Sequence, residues 1–108
     1  MKSNQLNQGA SKRLMYVESK TGTLDGADAR IGWVSFSKTG KSIYYRGRSL
    51  MRAKGIAGNY IDEISGEEFW VSGVKRRGSN VHPAERRITV VVDDDALSAY
   101  QVVRAGAA

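Results

Sequence analysis

Two glycine-punctuated hairpin patterns constrain this chain more than any other feature. Ile31 to Phe36 (IGWVSF) and Ser42 to Arg48 (SIYYRGR) flank Ser37-Lys38-Thr39-Gly40-Lys41, where Gly40 can take the positive φ of a tight connection. Asn59 to Ile64 (NYIDEI) and Glu67 to Val74 (EEFWVSGV) flank Ser65-Gly66 in the same way. Strands this short, with turns this frequent, predict a mainly β (α+β) domain. The expected form is a small curved antiparallel sheet or SH3-like barrel of five to six strands, closed by one C-terminal helix.

The remaining segments fit that frame. In Arg13 to Lys20 (RLMYVESK), Leu14, Tyr16 and Glu18 alternate with Met15, Val17 and Ser19, which suits a strand whose middle is covered on both sides. Thr21 to Ala29 reads as a loop, with two glycines and two aspartates supplying the turn chemistry. Ser49 to Gly58 extends the preceding strand and then turns, because Gly55 and Gly58 oppose a helix. Gly73 marks a bulge or a close backbone approach. Arg87 to Val92 (RITVVV) is β-branched and reads as a buried strand. Asp93 or Asp94 then caps a helix over Ala96 to Arg104, with Leu97, Tyr100 and Val103 or Arg104 on one face. Residues 1–12 read as a flexible polar tail, 13–104 as one domain and 105–108 as a short tail.

Composition narrows the function classes. The 108 residues suit one domain with a modest core, and 41% hydrophobic with 26% charged residues is a globular balance. With no cysteine, disulfides, thiolate catalysis and cysteine-ligated zinc are excluded, and a cytoplasmic location is expected. MKSNQLNQGASKR carries no apolar signal-peptide core, and no apolar run approaches the ~20 residues of a membrane span, so no membrane partner is expected. The net charge of +6 is unevenly spread: residues 1–60 hold eleven Lys/Arg against three Asp/Glu, residues 61–108 six against eight. That asymmetry points to an anionic partner for the first half of the chain.

RLMYVESKTG, IGWVSFSKTGKSIYYRGRSL, GNYIDEISGEEFWVSGVKRRGSNVH and VVVDDDALSAY resemble a family of small bacterial proteins. Its members often carry the name 1-deoxy-D-xylulose-5-phosphate synthase. The resemblance runs from about Arg13 to Tyr100 and implies a compact single domain without assigned catalytic residues. That enzymatic name would require thiamine diphosphate between large α/β domains. This chain has neither the length nor a Gly-Asp-Gly cofactor loop, so no cofactor is expected.

Two basic groups are candidates for contact with phosphates. Lys38, Lys41, Arg46, Arg48, Arg52 and Lys54 surround Tyr44 and Tyr45. If Ser42 to Arg48 is one strand, Tyr44, Arg46 and Arg48 share a face, placing a ring for base stacking beside guanidiniums. The alternative is a core face of Ile43 and Tyr45 with a solvated basic face opposite. Lys75, Arg76 and Arg77 form the second group, which is a solvated run unless folding brings it beside the first. Phe69 and Trp70 point to opposite faces of a regular strand, so Trp70 is a candidate stacking or contact residue.

Other motifs carry less. His82, the only histidine, is a candidate acid–base group with Glu67, Glu68 or Glu85, yet no spacing specifies such a site, and an exposed loop histidine is the simpler reading. Asp93-Asp94-Asp95 lacks the alternating ligands of a calcium loop and fits helix capping. Gly40-Lys41-Ser42 is not a phosphate loop, because the first required glycine falls at Ser35 and the setting joins strand to strand. The expectation is a nonenzymatic module that binds RNA or DNA through Lys38, Lys41, Tyr44, Arg46, Arg48, Arg52, Trp70, Lys75, Arg76 and Arg77. The alternative is a protein-interaction or homodimerisation module.

Overall fold

The computed structural model describes residues 11–83 and 87–106. The strands are β1 (Ser11–Ser19), β2 (Ala29–Phe36), β3 (Ser42–Tyr45), β4 (Arg48–Arg52), β5 (Tyr60–Asp62), β6 (Glu68–Gly73) and β7 (Val90–Val92). A 3-10 turn, Asp94–Ala96, leads into helix α1, Leu97–Ala105. Strands β1 to β6 pair antiparallel with their neighbours in sequence, and β6 returns to β1 with Val17 opposite Val71. The result is a closed six-stranded antiparallel barrel with one extra strand and one C-terminal helix, as the hairpin signals predict. Closure leaves those six strands no long unpaired edge.

Period-two alternation fills the interior. Val17, Val34, Phe36, Ile43, Tyr45, Leu50, Tyr60, Phe69 and Val71 pack inside the barrel. Burying each such side chain contributes ~1.5–3 kcal/mol, before the ordering cost is counted. A second apolar cluster lies on the opposite face of β1, β2 and β6. Tyr16, Ala29 and Ile31 are buried there against Leu14, Trp70, Val81, Ile88, Val92 and Tyr100. The middle of β1 is therefore covered on both sides, as its alternation implies. The chain after β6, including α1, supplies the outer cover.

Several boundaries differ from expectation. Ser42 to Arg48 is not one strand: the chain reverses at Arg46-Gly47, with Tyr45 opposite Arg48. Arg46 has φ 48° and Gly47 φ 78°, so both residues of this two-residue connection are left-handed. Turns of that hand match the twist of the flanking strands. Tyr44, Arg46 and Arg48 consequently do not share a strand face. Ser49 to Arg52 belongs to this new strand rather than extending the preceding one.

β7 is shorter than the expected 87–92 run, pairs parallel to β2 and leaves Val90 and Val91 partly exposed, so it is not a buried strand. It lies beside Ala29–Ile31, while β3 pairs with Ser35 and Phe36. Ser11 and Lys12, expected in the tail, already belong to β1, and Ala105 closes the helix. Gly106 follows as the helix C-cap, and the remaining residues of the expected tails, 1–10 and 107–108, lie outside the described residues. Among the described residues no helix is long and apolar enough to cross a membrane.

Candidate functional site

Antiparallel pairing sorts the cations between two ends of the barrel. β1 begins, and β2 and β4 end, at one end; β3 ends and β4 begins at the other. The first end holds Arg13, Lys38, Lys41 and Arg52. The second holds Arg30, Arg46 and Arg48 with Asp25 and Asp93.

At the first end two recesses adjoin and share Arg13, Phe36 and Arg52. One, of about 280 Å³, is walled by Ser11 and the Ser37–Gly40 connection, including Lys38. The other, of about 420 Å³, is walled by Met15, Asn59, Tyr60 and Val71. The Arg13 guanidinium carbon sits 4.7 Å from the Phe36 ring centroid, and that of Arg52 sits 5.9 Å from the Tyr60 centroid. Such contacts hold a guanidinium plane while leaving its N–H edge available. Among the described residues no carboxylate lines either recess, and none pairs with Arg13, Lys38 or Arg52. Gly40, with φ 78°, permits the turn that brings Lys38 there. The Lys41 carbonyl accepts the Arg52 amide at 2.8 Å, tying the loop to β4.

At the second end the arginines are ion-paired internally. Arg46 Nε donates to Asp25 Oδ2 at 2.6 Å, and Arg48 Nη2 to Asp25 Oδ1 at 3.0 Å. The Arg48 and Arg46 guanidiniums hold the Asp25 carboxyl down at about 2. Asp93 accepts from the Tyr45 hydroxyl and from Arg30 and Arg46 Nη1 at 3.1 and 3.3 Å. Burial, then the Asp93 carboxylate, pushes the Tyr45 hydroxyl well above its usual range. Asp93 stands at the start of the 3-10 turn, yet its side chain makes no capping hydrogen bond. The expected cap is therefore corrected: barrel cations and a buried hydroxyl claim this carboxylate.

Gly32 makes that arrangement possible. A Cβ there would overlap Asp93 Oδ2 and lie 2.7 Å from the Tyr45 hydroxyl oxygen. Trp33, Arg46 and Asp93 to Asp95 line an open pocket of about 410 Å³ beside it. The Trp33 indole nitrogen donates to the Asp95 carbonyl at 3.0 Å.

The other expected contact residues are dispersed. Tyr44 is 48% exposed on β3, between Ser35 and Ser49. Trp70 lies under the His82 ring, with centroids 3.7 Å apart and planes 8° from parallel. Its ring face is thus occupied from within the protein. Lys75, Arg76 and Arg77 are exposed beyond the end of β6. Gly73, just before them, pairs with Met15 of the larger recess. Gly73 meets nothing close enough to require glycine. Arg104 Nη1 donates to the Lys75 and Gly78 carbonyls, binding α1 to this turn.

His82 is held rather than loose. Glu18, fully buried, accepts from the Tyr16 hydroxyl, from Lys20 Nζ at 2.6 Å and from the His82 amide at 3.0 Å. Burial pushes the Glu18 carboxyl up, but the Lys20, Tyr16 and His82 donors outweigh it and hold it below its ordinary value. Lys20 Nζ also donates to the His82 carbonyl. His82 Nδ1 is buried without a hydrogen-bond partner among the described residues. Of its expected partners, Glu68 instead receives the amides of Ile56, Ala57 and Gly58 at 3.2, 2.8 and 2.8 Å. Glu67 is exposed with no bond to the imidazole, and Glu85 lies outside the described residues.

Arg13 is the contributor to the basic cleft that sequence reading misses, being counted there only as the start of a strand. The signal available was a cation two residues before Met15, on the face that Val17 carries inward. Comparison of the chain with protein-family models, with curated proteins and with solved structures gives no match.

Proposed function

We propose that the protein is a nonenzymatic module that binds RNA or DNA at the basic cleft of the barrel end. One observation carries this reading: Arg13, Lys38 and Arg52 line adjoining recesses with no carboxylate among the described residues of their walls. Unpaired cations in a concave setting concentrate an anionic ligand. Arg13 and Arg52 supply planar donors for phosphate oxygens, and Lys38 a flexible point charge. Lys41, Lys75, Arg76 and Arg77 add a general attraction. Arg46 and Arg48 contribute little, because Asp25 and Asp93 already neutralise them. Exposed Tyr44 is the remaining candidate for stacking, and Trp70 is not. The absence of cysteine fits a cytoplasmic setting for this role.

Titration of a labelled mixed-sequence oligonucleotide at rising salt tests the reading. Affinity should fall with a log–log slope of about −2 to −3, one counterion for each phosphate met by a cleft cation. Replacing both Arg13 and Arg52 by Gln should weaken binding about tenfold or more. Absence of binding at low salt, or a double variant that binds like the parent, defeats it.

A second reading, association with another protein or with itself, is favoured by a groove on β4 and β5. Met51, Ala53, Ile61 and Ile64 line about 550 Å³ there, and Ile64 is 96% exposed. Exposed apolar side chains grouped in a groove mark contact surfaces. Light scattering separates the readings: a rise in mass with concentration, abolished by Ile64→Asp, supports the second, and a constant monomer mass excludes self-association.

A further inference from the structure

The two recesses differ in lining. The smaller one combines Arg13, Lys38 and Arg52 with hydroxyls and the Ser37–Gly40 backbone. Within that backbone the Lys38 and Thr39 amides donate to no described residue. The larger one passes the same two arginines and continues to Met15, Tyr60 and Val71. Asn59 is fixed in place there, its amide nitrogen donating to the Val71 carbonyl and its oxygen accepting the Val71 amide, both at 2.8 Å. Charge thus lies at the mouth and an apolar wall behind it, and among the described residues the one side-chain amide in that wall, Asn59, is committed to the Val71 backbone.

We infer that the cleft takes single-stranded nucleic acid without base selection. A phosphate lies among Arg13, Lys38 and Arg52, and the adjoining base or sugar enters the recess beside Met15 and Tyr60. This rests on the nucleic-acid reading above and narrows it. A duplex presents its phosphates on a convex surface, with the bases stacked inside and unable to enter a recess. A single strand can turn one nucleotide inward, and an apolar wall accepts any base face. The volume of about 420 Å³ falls within the range of small-ligand sites.

The test is anisotropy titration at low salt with one mixed-sequence strand of DNA, alone and as its duplex, and with homopolymer strands. The single strand should bind at least tenfold tighter than the duplex, and the homopolymers should agree within about threefold. Met15→Trp, which fills the recess, should weaken single-strand binding at least fivefold while leaving the salt slope intact. Because that variant could fail to fold, strands carrying thiouridine are also cross-linked to the unaltered protein and mapped by mass spectrometry. Cross-links should include Met15 or Tyr60. Equal or tighter duplex binding, a single preferred homopolymer, or cross-links confined elsewhere overturns this inference and leaves the broader reading standing. Binding of neither strand nor duplex overturns both.

Discussion

Asp25 and Arg46, both non-glycine residues with positive φ (51° and 48°), are ion-paired to each other at 2.6 Å. Left-handed backbone costs an ordinary side chain ~1–2 kcal/mol. Here two such positions, on separate loops, are joined by a charge-assisted hydrogen bond that also engages Arg48. The turn conformation and the charge pairing at this barrel end are therefore one arrangement.

Arg46→Gly and Arg46→Ala both remove the ion pairs, but only Ala keeps the left-handed cost. The Gly variant should be more stable than the Ala variant by about 1 kcal/mol. Urea unfolding midpoints decide it, and an Ala variant at least as stable as Gly would sink the idea.

Asp25 also sets a pH dependence. Its folded value is depressed to about 2 from an ordinary 3.8, so the unfolded chain binds the proton more readily. Its contribution is fully present above 3.8 and drains away as pH falls toward 2. Asn tolerates left-handed φ, so Asp25→Asn isolates the charge. The gap in denaturation midpoint between the parent and Asp25→Asn should shrink over that window; a constant gap contradicts the assignment.

Gly32→Ala tests the seat of Asp93. The added methyl meets the Asp93 carboxylate and the Tyr45 hydroxyl, at a cost of about 1–3 kcal/mol. Thermal unfolding should show a clear loss, and the near-ultraviolet dichroism of tyrosine should change. An unaltered melt would mean that the carboxylate moves aside without penalty.

Glu18→Gln removes the counter-charge of Lys20 in a buried setting. The cost should be about 3–5 kcal/mol, because an unpaired ammonium is left out of water. Glu18→Gln combined with Lys20→Met should recover part of it. Chemical denaturation of the two variants supplies the comparison, and a double variant less stable than the single one argues against an unpaired charge as the cause.

How much of this was legible in the sequence depended on how local the cause was. The strand pattern was readable because alternation and glycine turns act within a few residues. Covering of β1 on both faces was likewise visible in Tyr16, Val17 and Glu18. The reversal at Arg46-Gly47 was obscured because arginine is an unusual first residue for such a turn, and the ion pairs that support it come from Asp25 and Asp93, far along the chain. Gly47 was the only local hint. Of the cleft cations, the sequence singles out Lys38 and Arg52, while Arg13 joins them only through barrel closure. Trp70 reads as a contact candidate in sequence because nothing local reveals that His82 covers it.

The pairing of β1 with β6 also sets a timetable. Residues 11–19 acquire their second neighbour only once residues 68–73 are available, so the barrel cannot close on a nascent chain that stops at β5. Until then β1 presents a bare row of amides and carbonyls. Joining segments this far apart makes the final step a search over a large loop, which slows folding relative to local hairpin formation. The interval before the ends meet is when the chain is most open to pairing with a neighbour of its own kind.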